Sequence, residues 1–381
     1  MSDHRLLEGI TVVEISSSVA APFAARIFAD LGADVIKIEA PGGGDSARKW
    51  GPPFWRDDAT PFHAFNRGKR SITVDLKDPA QIAMLSDFIA ERADIVLQNL
   101  RAGLVERYGL DAQTLRARAP GLIYANIGAF GEKGPMRMQP GYEALMQAIS
   151  GLISLTGEAD RDPVRIGAPI ADMGTGMWTV IGCLAALHER QRSGEGRVVG
   201  TSLYDTSLGW TAMAMAQYQA TGKVPSRTGL KGISVVPNGG FHTADGLLVI
   251  TVGTDVQFRS LCGAVGRAEL ADDPRFVTNA DRRANETALL AILGDIFPTR
   301  TRAEWCEILG AAGVAAIPVQ NLAEAAESEQ TAASEMLQDC PGDELKLIGL
   351  PLRFDGERPK PRWPAPKQGE PIHQLKSDAA E

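Results

Sequence analysis

The sequence lacks any Cys-x-x-Cys pair: its four cysteines, Cys183, Cys262, Cys306 and Cys340, stand far apart. That spacing argues against a disulfide framework and against a structural zinc site. Five histidines (His4, His63, His188, His242 and His373) form neither a His-Glu-x-x-His motif nor a cluster, which argues against a metal enzyme. No N-terminal stretch joins basic residues to an apolar run and a small-residue cleavage site, and no apolar segment reads as long enough to span a bilayer. A cytoplasmic protein without a membrane partner is expected. Positive charge is not in excess either. At a net charge of −8 the chain is poorly suited to nucleic acid, whose phosphates need a basic face. Anionic small molecules stay open, because a local Lys/Arg group can hold a phosphate on an acidic protein.

What is present is a rhythm of strands and helices. With 381 residues and 44% hydrophobic content, the chain can bury a large core, and about 150 residues per domain gives two or three domains. The β-branched run Ile10–Ile15 reads as a buried strand, Ala20–Leu31 as a helix stopped by Gly32, and Asp34–Glu39 as the next strand. The alternation continues with strands at Ser71–Leu76, Asp94–Asn99 and Leu122–Phe130, and helices at Pro79–Arg92 and from Leu104. Strands joined by helical crossovers predict an α/β fold with a parallel sheet covered on both faces. Further helices are expected at Tyr142–Leu152 and Asp172–Ser193, then a strand at Arg197–Tyr204 and a helix at Asp205–Thr221. The Gly- and Pro-rich segment Gly222–Thr243 reads as a linker into a smaller domain with a strand at Leu247–Val252 and helices near Val256–Val265, Asn285–Phe297 and Arg302–Ala312. The strand Ala315–Val319 and the tail after it are expected to return to the first domain. Pro359, Pro361, Pro364, Pro366 and Pro371 mark an extended end.

Three stretches carry candidate chemistry. Glu39 ends the second strand where a ribose-binding acid would sit, but the turn after the first strand (Ser16, Ser17, Ser18, Val19, Ala20, Ala21) holds no glycine to admit a pyrophosphate. NAD binding is therefore improbable. Asn66–Ser71 (NRGKRS) and Asn99–Gly103 (NLRAG), followed by Arg107, place basic residues outside strand ends. These are either an ordinary solvated surface or a phosphate site with Lys77, Arg101 and Arg107 as contacts. Gly167–Trp178 (GAPIADMGTGMW) sets Asp172 before two glycines and an apolar helix. Asp is a favoured N-cap, which is the ordinary explanation. Gly174 and Gly176, however, are poor helix formers, and their presence implies that something approaches the backbone closely. A carboxylate beside exposed N–H groups is a workable nucleophile with an oxyanion stabiliser at hand.

At these residues the chain resembles the class III CoA-transferases, the family of formyl-CoA:oxalate and carnitine CoA-transferases that also includes 2-methylacyl-CoA racemases. The blocks LEGITVVEI, FADLGADVIKIEAPGGGD, FNRGKRSITVDLKDP, ADIVLQNLRAGLVERYGL, QPGYEALMQAISGLISLTG and IGAPIADMGTGMW carry the resemblance, with ADDPRFVTNADRRANE and TRTRAEW further on. It implies an interlocked homodimer, each protomer having a large Rossmann-like domain and a smaller α+β domain. Residues 1–221 would begin the large domain, 222–320 would form the linker and small domain, and 321–381 would return to the large domain and end in the tail. Asp172 falls on the family's catalytic aspartate. The expected contacts to CoA, a substrate and not a tightly bound cofactor, are Val19, Ala20, Val74, Asp75, Leu76, Lys77, Asn99, Leu100, Arg101 and Arg107. Tyr142 and Glu143 match positions near the reacting thioester.

The resemblance implies transfer of CoA from an acyl-CoA to a carboxylic acid through an aspartyl anhydride and an aspartyl-CoA thioester. The rivals are a 2-methylacyl-CoA racemase and a non-catalytic CoA-binding dimer. In the racemase branch a His-Asp pair occupies the place of Tyr142 and Glu143, so transfer is favoured. Relatives often carry Gln where this chain has Val19, and some an Arg where it has Ala40. The linker offers Gly229, Gly232, Gly239 and Gly240 but not the glycine run that oxalate-type enzymes close over the active site, which speaks against formyl-CoA:oxalate specificity.

Overall fold

Valine and isoleucine runs buried on both faces build the centre of the larger unit. Strands β1 (Thr11–Ile15), β2 (Asp34–Glu39), β3 (Arg70–Thr73), β4 (Ile95–Gln98), β5 (Ile123–Gly128) and β6 (Val198–Ser202) form one six-stranded sheet in the order β3-β2-β1-β4-β5-β6. Every pairing in it is parallel. Val12, Val13, Val35, Ile36, Ile95 and Val96 are all essentially inaccessible to solvent, as a sheet with helices on both faces requires. The helices are α1 (Ala20–Asp30), α2 (Thr60–Asn66), α3 (Pro79–Arg92), α4 (Leu104–Arg107), α5 (Ala112–Arg118), α6 (Glu143–Ile149), α7 (Ile170–Ser193), α8 (Leu203–Trp210) and α9 (Ala212–Thr221). Strand order reverses between β1 and β4, so the crevice above their carboxyl ends is the place where a doubly wound sheet accepts a ligand. The computed structural model describes residues 5–372, which fall into two compact units. The larger holds the described residues up to Ile153, Arg165–Gly222, and those from Glu329 onward.

Helix α7 crosses α1 at very close range, and its glycines explain how. A Cβ on Gly176 would lie 2.7 Å from the Ala20 carbonyl oxygen and 3.0 Å from Phe23 Cδ1. One on Gly174 would lie 2.8 Å from both Thr206 Cγ2 and Trp210 Cζ2 of α8. What approaches this backbone is therefore a pair of neighbouring helices, which corrects the expectation that the glycines open it to a ligand. A second correction concerns length. By length and composition α7, 24 residues with an 18-residue stretch of mean hydropathy 1.4, would reach across a bilayer. The sequence reading missed it because Gly, Thr and Ala dilute the run. In this fold those small buried residues, Ala171, Gly174, Thr175, Gly176, Thr179 and Ala186, are the packing face against the rest of the unit.

The smaller unit contains Ser154–Val164 and Lys223–Ser328. Its antiparallel sheet, in the order β9-β8-β7, joins β7 (Asn238–His242), β8 (Leu247–Thr251) and β9 (Ala315–Pro318). Two expectations change here. The end of the Gly-rich linker is strand β7, whose Gly239 and Gly240 leave room for Leu230 to pass over them. The strand at Ala315 pairs with β8 and does not return to the first domain; the chain re-enters the larger unit at Glu329. Helices α10 (Asp255–Ala264), α11 (Asn279–Ala284), α12 (Glu286–Ile296) and α13 (Arg302–Ala311) complete the unit. Buried Arg282 lies over the Phe258 ring and donates to the carbonyls of Val236 and Phe276 and to Asp255. After re-entry, the proline-rich segment lies along β3: Gly68 N–H donates to Trp363 O at 2.9 Å and Thr73 N–H to Glu370 O at 3.0 Å.

Two glycine-to-alanine changes in helices test this account with opposite signs. Gly176→Ala forces α7 off α1 and is expected to cost about 1–3 kcal/mol in urea unfolding. Gly294→Ala in α12, where an added Cβ meets nothing within 4 Å, is expected to add up to about 1 kcal/mol. Equal effects would show that the crossing is not close in solution.

Candidate active site

The first turn of α7 places Asp172 inside the helix, because α7 begins at Ile170 with Pro169 before it. Asp172 is therefore not the N-cap. The capping carboxylate comes instead from Glu143 at the start of α6: it accepts from Asp172 N–H at 2.8 Å and from Ala171 N–H at 3.2 Å. The N–H groups that looked free to stabilise an oxyanion are thus occupied. Glu143 is held in turn by Gln147, one turn along α6, whose amide donates to it at 2.6 Å and accepts from Ile166 N–H at 2.9 Å. Burial, joined by the negative charge of Glu143 and a hydrogen bond between the two side chains, pushes the Asp172 carboxyl up to about 7. Tyr142 precedes α6 with its side chain 67% exposed.

Asp172 is linked to the sheet's switch point through its own helix. Gly176 lies one turn further along and touches the Ala20 carbonyl, and residues four apart share a helix face. Val19 and Ala20, both buried, open α1. Asn99 sits across the crevice after β4 and grips the neighbouring turn twice, donating to Ser17 O at 2.7 Å and accepting from Ser17 N–H at 3.1 Å. The Leu100 N–H is fixed by the Gln98 side chain at 2.8 Å. The segment Val74–Lys77 follows β3 at the sheet's outer edge; Val74 is buried, Asp75 and Leu76 are half-buried and Lys77 is exposed. Arg101 and Arg107 are exposed around α4, and among the described residues neither they nor Lys77 forms an ion pair. The structure therefore brings Val19, Ala20, Asn99 and Leu100 to the switch point. It keeps Asp172 and Glu143 one helical turn from it, and Val74–Lys77 two strands away.

The basic NRGKRS stretch does not contribute a phosphate site. Arg67 pairs with Asp30 at 2.8 Å and Lys69 with Glu14 at 2.7 Å, all four buried, while Arg70 is engaged by Asp34. Glu39 is no ribose ligand either: it accepts from Arg48 Nε and Nη2 and from the Ser71 hydroxyl. Sequence reasoning missed Gln147 and the buried group Glu14, Lys37, Lys69 and Asp45. The one available signal for Gln147 was its four-residue spacing from Glu143. For the buried group, charged residues inside apolar strands, as in TVVEI and DVIKIE, were the sign.

Comparison with known proteins shows the family. A profile of the family described as CoA-transferase family III matches residues 7–371. The acetyl-CoA:oxalate CoA-transferase of Acetobacter aceti is 36% identical over 98% of this chain and 95% of its own. The succinate–glutarate CoA-transferase of Agrobacterium fabrum is 36% identical over 93% and 92%. Among solved structures, a CAIB/BAIF family protein from Brucella suis superposes with a TM-score of 0.90 at 37% identity, covering 98% of both chains.

The raised Asp172 carboxyl makes a pH prediction. The group titrates near 7 when folded and near about 4 when unfolded, so between these values the native state binds more protons and stability falls as pH rises. Asp172→Asn removes that loss. Its melting temperature should match wild type near about pH 4 and exceed it by several degrees near about pH 8. A difference that does not change with pH would mean that burial and Glu143 do not raise the Asp172 carboxyl.

Proposed function

Because the chain belongs to CoA-transferase family III, we propose that it carries CoA from an acyl-CoA thioester to a small carboxylic acid through covalent intermediates on Asp172. The observation that carries this reading is the Asp172 carboxyl held against Glu143, with its pKa near 7. A carboxylate is a weak nucleophile, and raising its basicity strengthens it while leaving a good fraction ionised at neutral pH.

In the first step an Asp172 oxygen attacks the thioester carbonyl; the C–S bond breaks and CoA leaves as thiolate, giving a mixed anhydride. The thiolate attacks the aspartyl carbonyl, the donor acid leaves as carboxylate, and Asp172 carries CoA as a thioester. The acceptor carboxylate attacks this thioester, forming a new anhydride and releasing thiolate. Attack of the thiolate on the acceptor's carbonyl yields the product acyl-CoA and restores the Asp172 carboxylate. Each acylation also removes the charge that Glu143 opposes, so the like-charge strain of the resting site is relieved as the intermediate forms.

The exposed, unpaired Lys77, Arg101 and Arg107 suit the phosphates of CoA. The named relatives act on oxalate and on succinate and glutarate, which supports a small dicarboxylic acid as acceptor and succinyl-CoA as a donor. Apolar surface is exposed on each of α6, α7 and α9, where Leu145, Ile149, Met177, Trp178, Ile181 and Met213 are 45–69% exposed. Such surface is covered in a homodimer, and sedimentation should give twice the mass of the chain. A monomer at micromolar concentration would remove that part of the reading.

The mechanism is tested by intact-protein mass spectrometry after incubation with succinyl-CoA or acetyl-CoA, followed by peptide mapping. A CoA-sized adduct on the peptide containing Gly167–Trp178 is expected, and it should vanish in Asp172→Ala together with turnover. An Asp172→Ala enzyme with near-wild-type transfer would defeat the mechanism. Absence of any adduct, combined with α-proton exchange of a 2-methylacyl-CoA in deuterated water, would assign the site to racemisation.

A further inference from the structure

The turn between β1 and α1 contains no glycine, yet it adopts a conformation that glycine ordinarily supplies. Ser18 has φ of +76°, in the left-handed region that non-glycine residues rarely enter. Its neighbours hold it there. Asp45 Oδ1 accepts from Ser18 N–H at 2.9 Å and from Ala47 N–H at 2.9 Å, while Oδ2 lies 2.8 Å from Lys37 Nζ. Lys37 also donates to the Ser16 carbonyl at 3.2 Å and to Glu14 at 2.7 Å, and Glu14 is neutralised further by Lys69 at 2.7 Å. With Asn99 gripping Ser17 on both sides, three consecutive residues of the turn are pinned from the sheet below. All four charged members of the group are at most 3% exposed.

We propose that Asp45 is a positioning residue for acyl-CoA: by holding Ser18 left-handed, it shapes the β1–α1 turn against which the nucleotide part of the thioester lies. Asp45 touches no substrate atom. It replaces, from outside the turn, the glycine that a dinucleotide-binding sheet carries at this point. The inference rests on the preceding reading that CoA occupies this sheet edge.

Removing Asp45 alone would leave a buried excess of positive charge, so the test uses Lys37→Met/Asp45→Ala, which takes away one charge of each sign and leaves Glu14 paired with Lys69. The KM for succinyl-CoA, and its dissociation constant by calorimetry, are expected to rise about tenfold with kcat within about twofold, the pattern of binding energy lost equally from ground and transition states. Adding Ser18→Gly, which tolerates the left-handed turn without help, should recover most of that loss. A merely structural role would lower the melting temperature without this rescue. Should the charge-balanced variant fail to fold, Ser18→Val, whose β-branched side chain disfavours positive φ, is expected to raise KM about threefold or more at unchanged kcat. An unchanged KM in either variant, or a rise that Ser18→Gly does not reverse, overturns the proposal while wild-type turnover leaves the transferase reading standing. A wild type that binds neither succinyl-CoA nor acetyl-CoA defeats both.

Discussion

Four charged side chains with almost no solvent exposure, Glu14, Lys37, Lys69 and Asp45, lie beneath the carboxyl ends of β1 and β2, and much of the larger unit is arranged around them. Isolated ions this deep would cost several kcal/mol each in lost hydration, so the two acids and two bases must arrive together. Their mutual fields outweigh burial for the acid, holding Glu14 down to about 2 against burial that opposes it. For Lys69 burial prevails, bringing the ammonium to about 8. The group joins β1, β2, the connection before β3 and the loop after β2. It thereby fixes where the β1–α1 turn lies and where α1 begins. Because α7 rests directly on that first turn of α1, the position of Asp172 is set from the same base.

The Asp172–Glu143 pair follows the opposite logic. In the ion group every charge has a counter-charge; here two carboxyls share one helix terminus. Glu143 satisfies the N–H groups that an uncapped helix would leave bare, and this capping places it where it opposes ionisation of its neighbour. The local stability of α7 and the reactivity of its third residue thus come from one side chain. Gln147, fully buried and bonded to both Glu143 and Ile166, removes the freedom by which Glu143 could turn away.

The sequence revealed the parts of this fold that depend on local pattern. The β-branched runs of β1, β2 and β4 and the helical pattern of α3 mark their elements within a residue, whereas the helix expected from Leu104 stops at Arg107 and α5 opens separately behind Asp111. Features set by distant neighbours were hidden. NRGKRS reads as a basic surface until Asp30 and Glu14 are found behind it, and β7 reads as a linker because its glycines serve Leu230. Gly174 and Gly176 were correctly singled out as sites of close approach. Their partners, α1 and α8, are contacts no spacing rule reveals. Asp172 was found by its setting and Glu143 by resemblance, whereas their electrostatic coupling is visible only once α6 and α7 are placed.

The proline-rich segment along β3 carries a consequence for how the protein is made. Ser71 and Gly369, which meet through the Ser71 hydroxyl, are separated by 298 positions in the chain. During synthesis β3 therefore emerges long before its cover, and for most of translation it is a bare sheet edge, the kind of surface that recruits strands from other chains. The segment Val74–Lys77 that follows β3 shares that exposure. A chain cut before Trp363 would keep this border of the sheet open, so the segment from Trp363 to Glu370 serves as its cover.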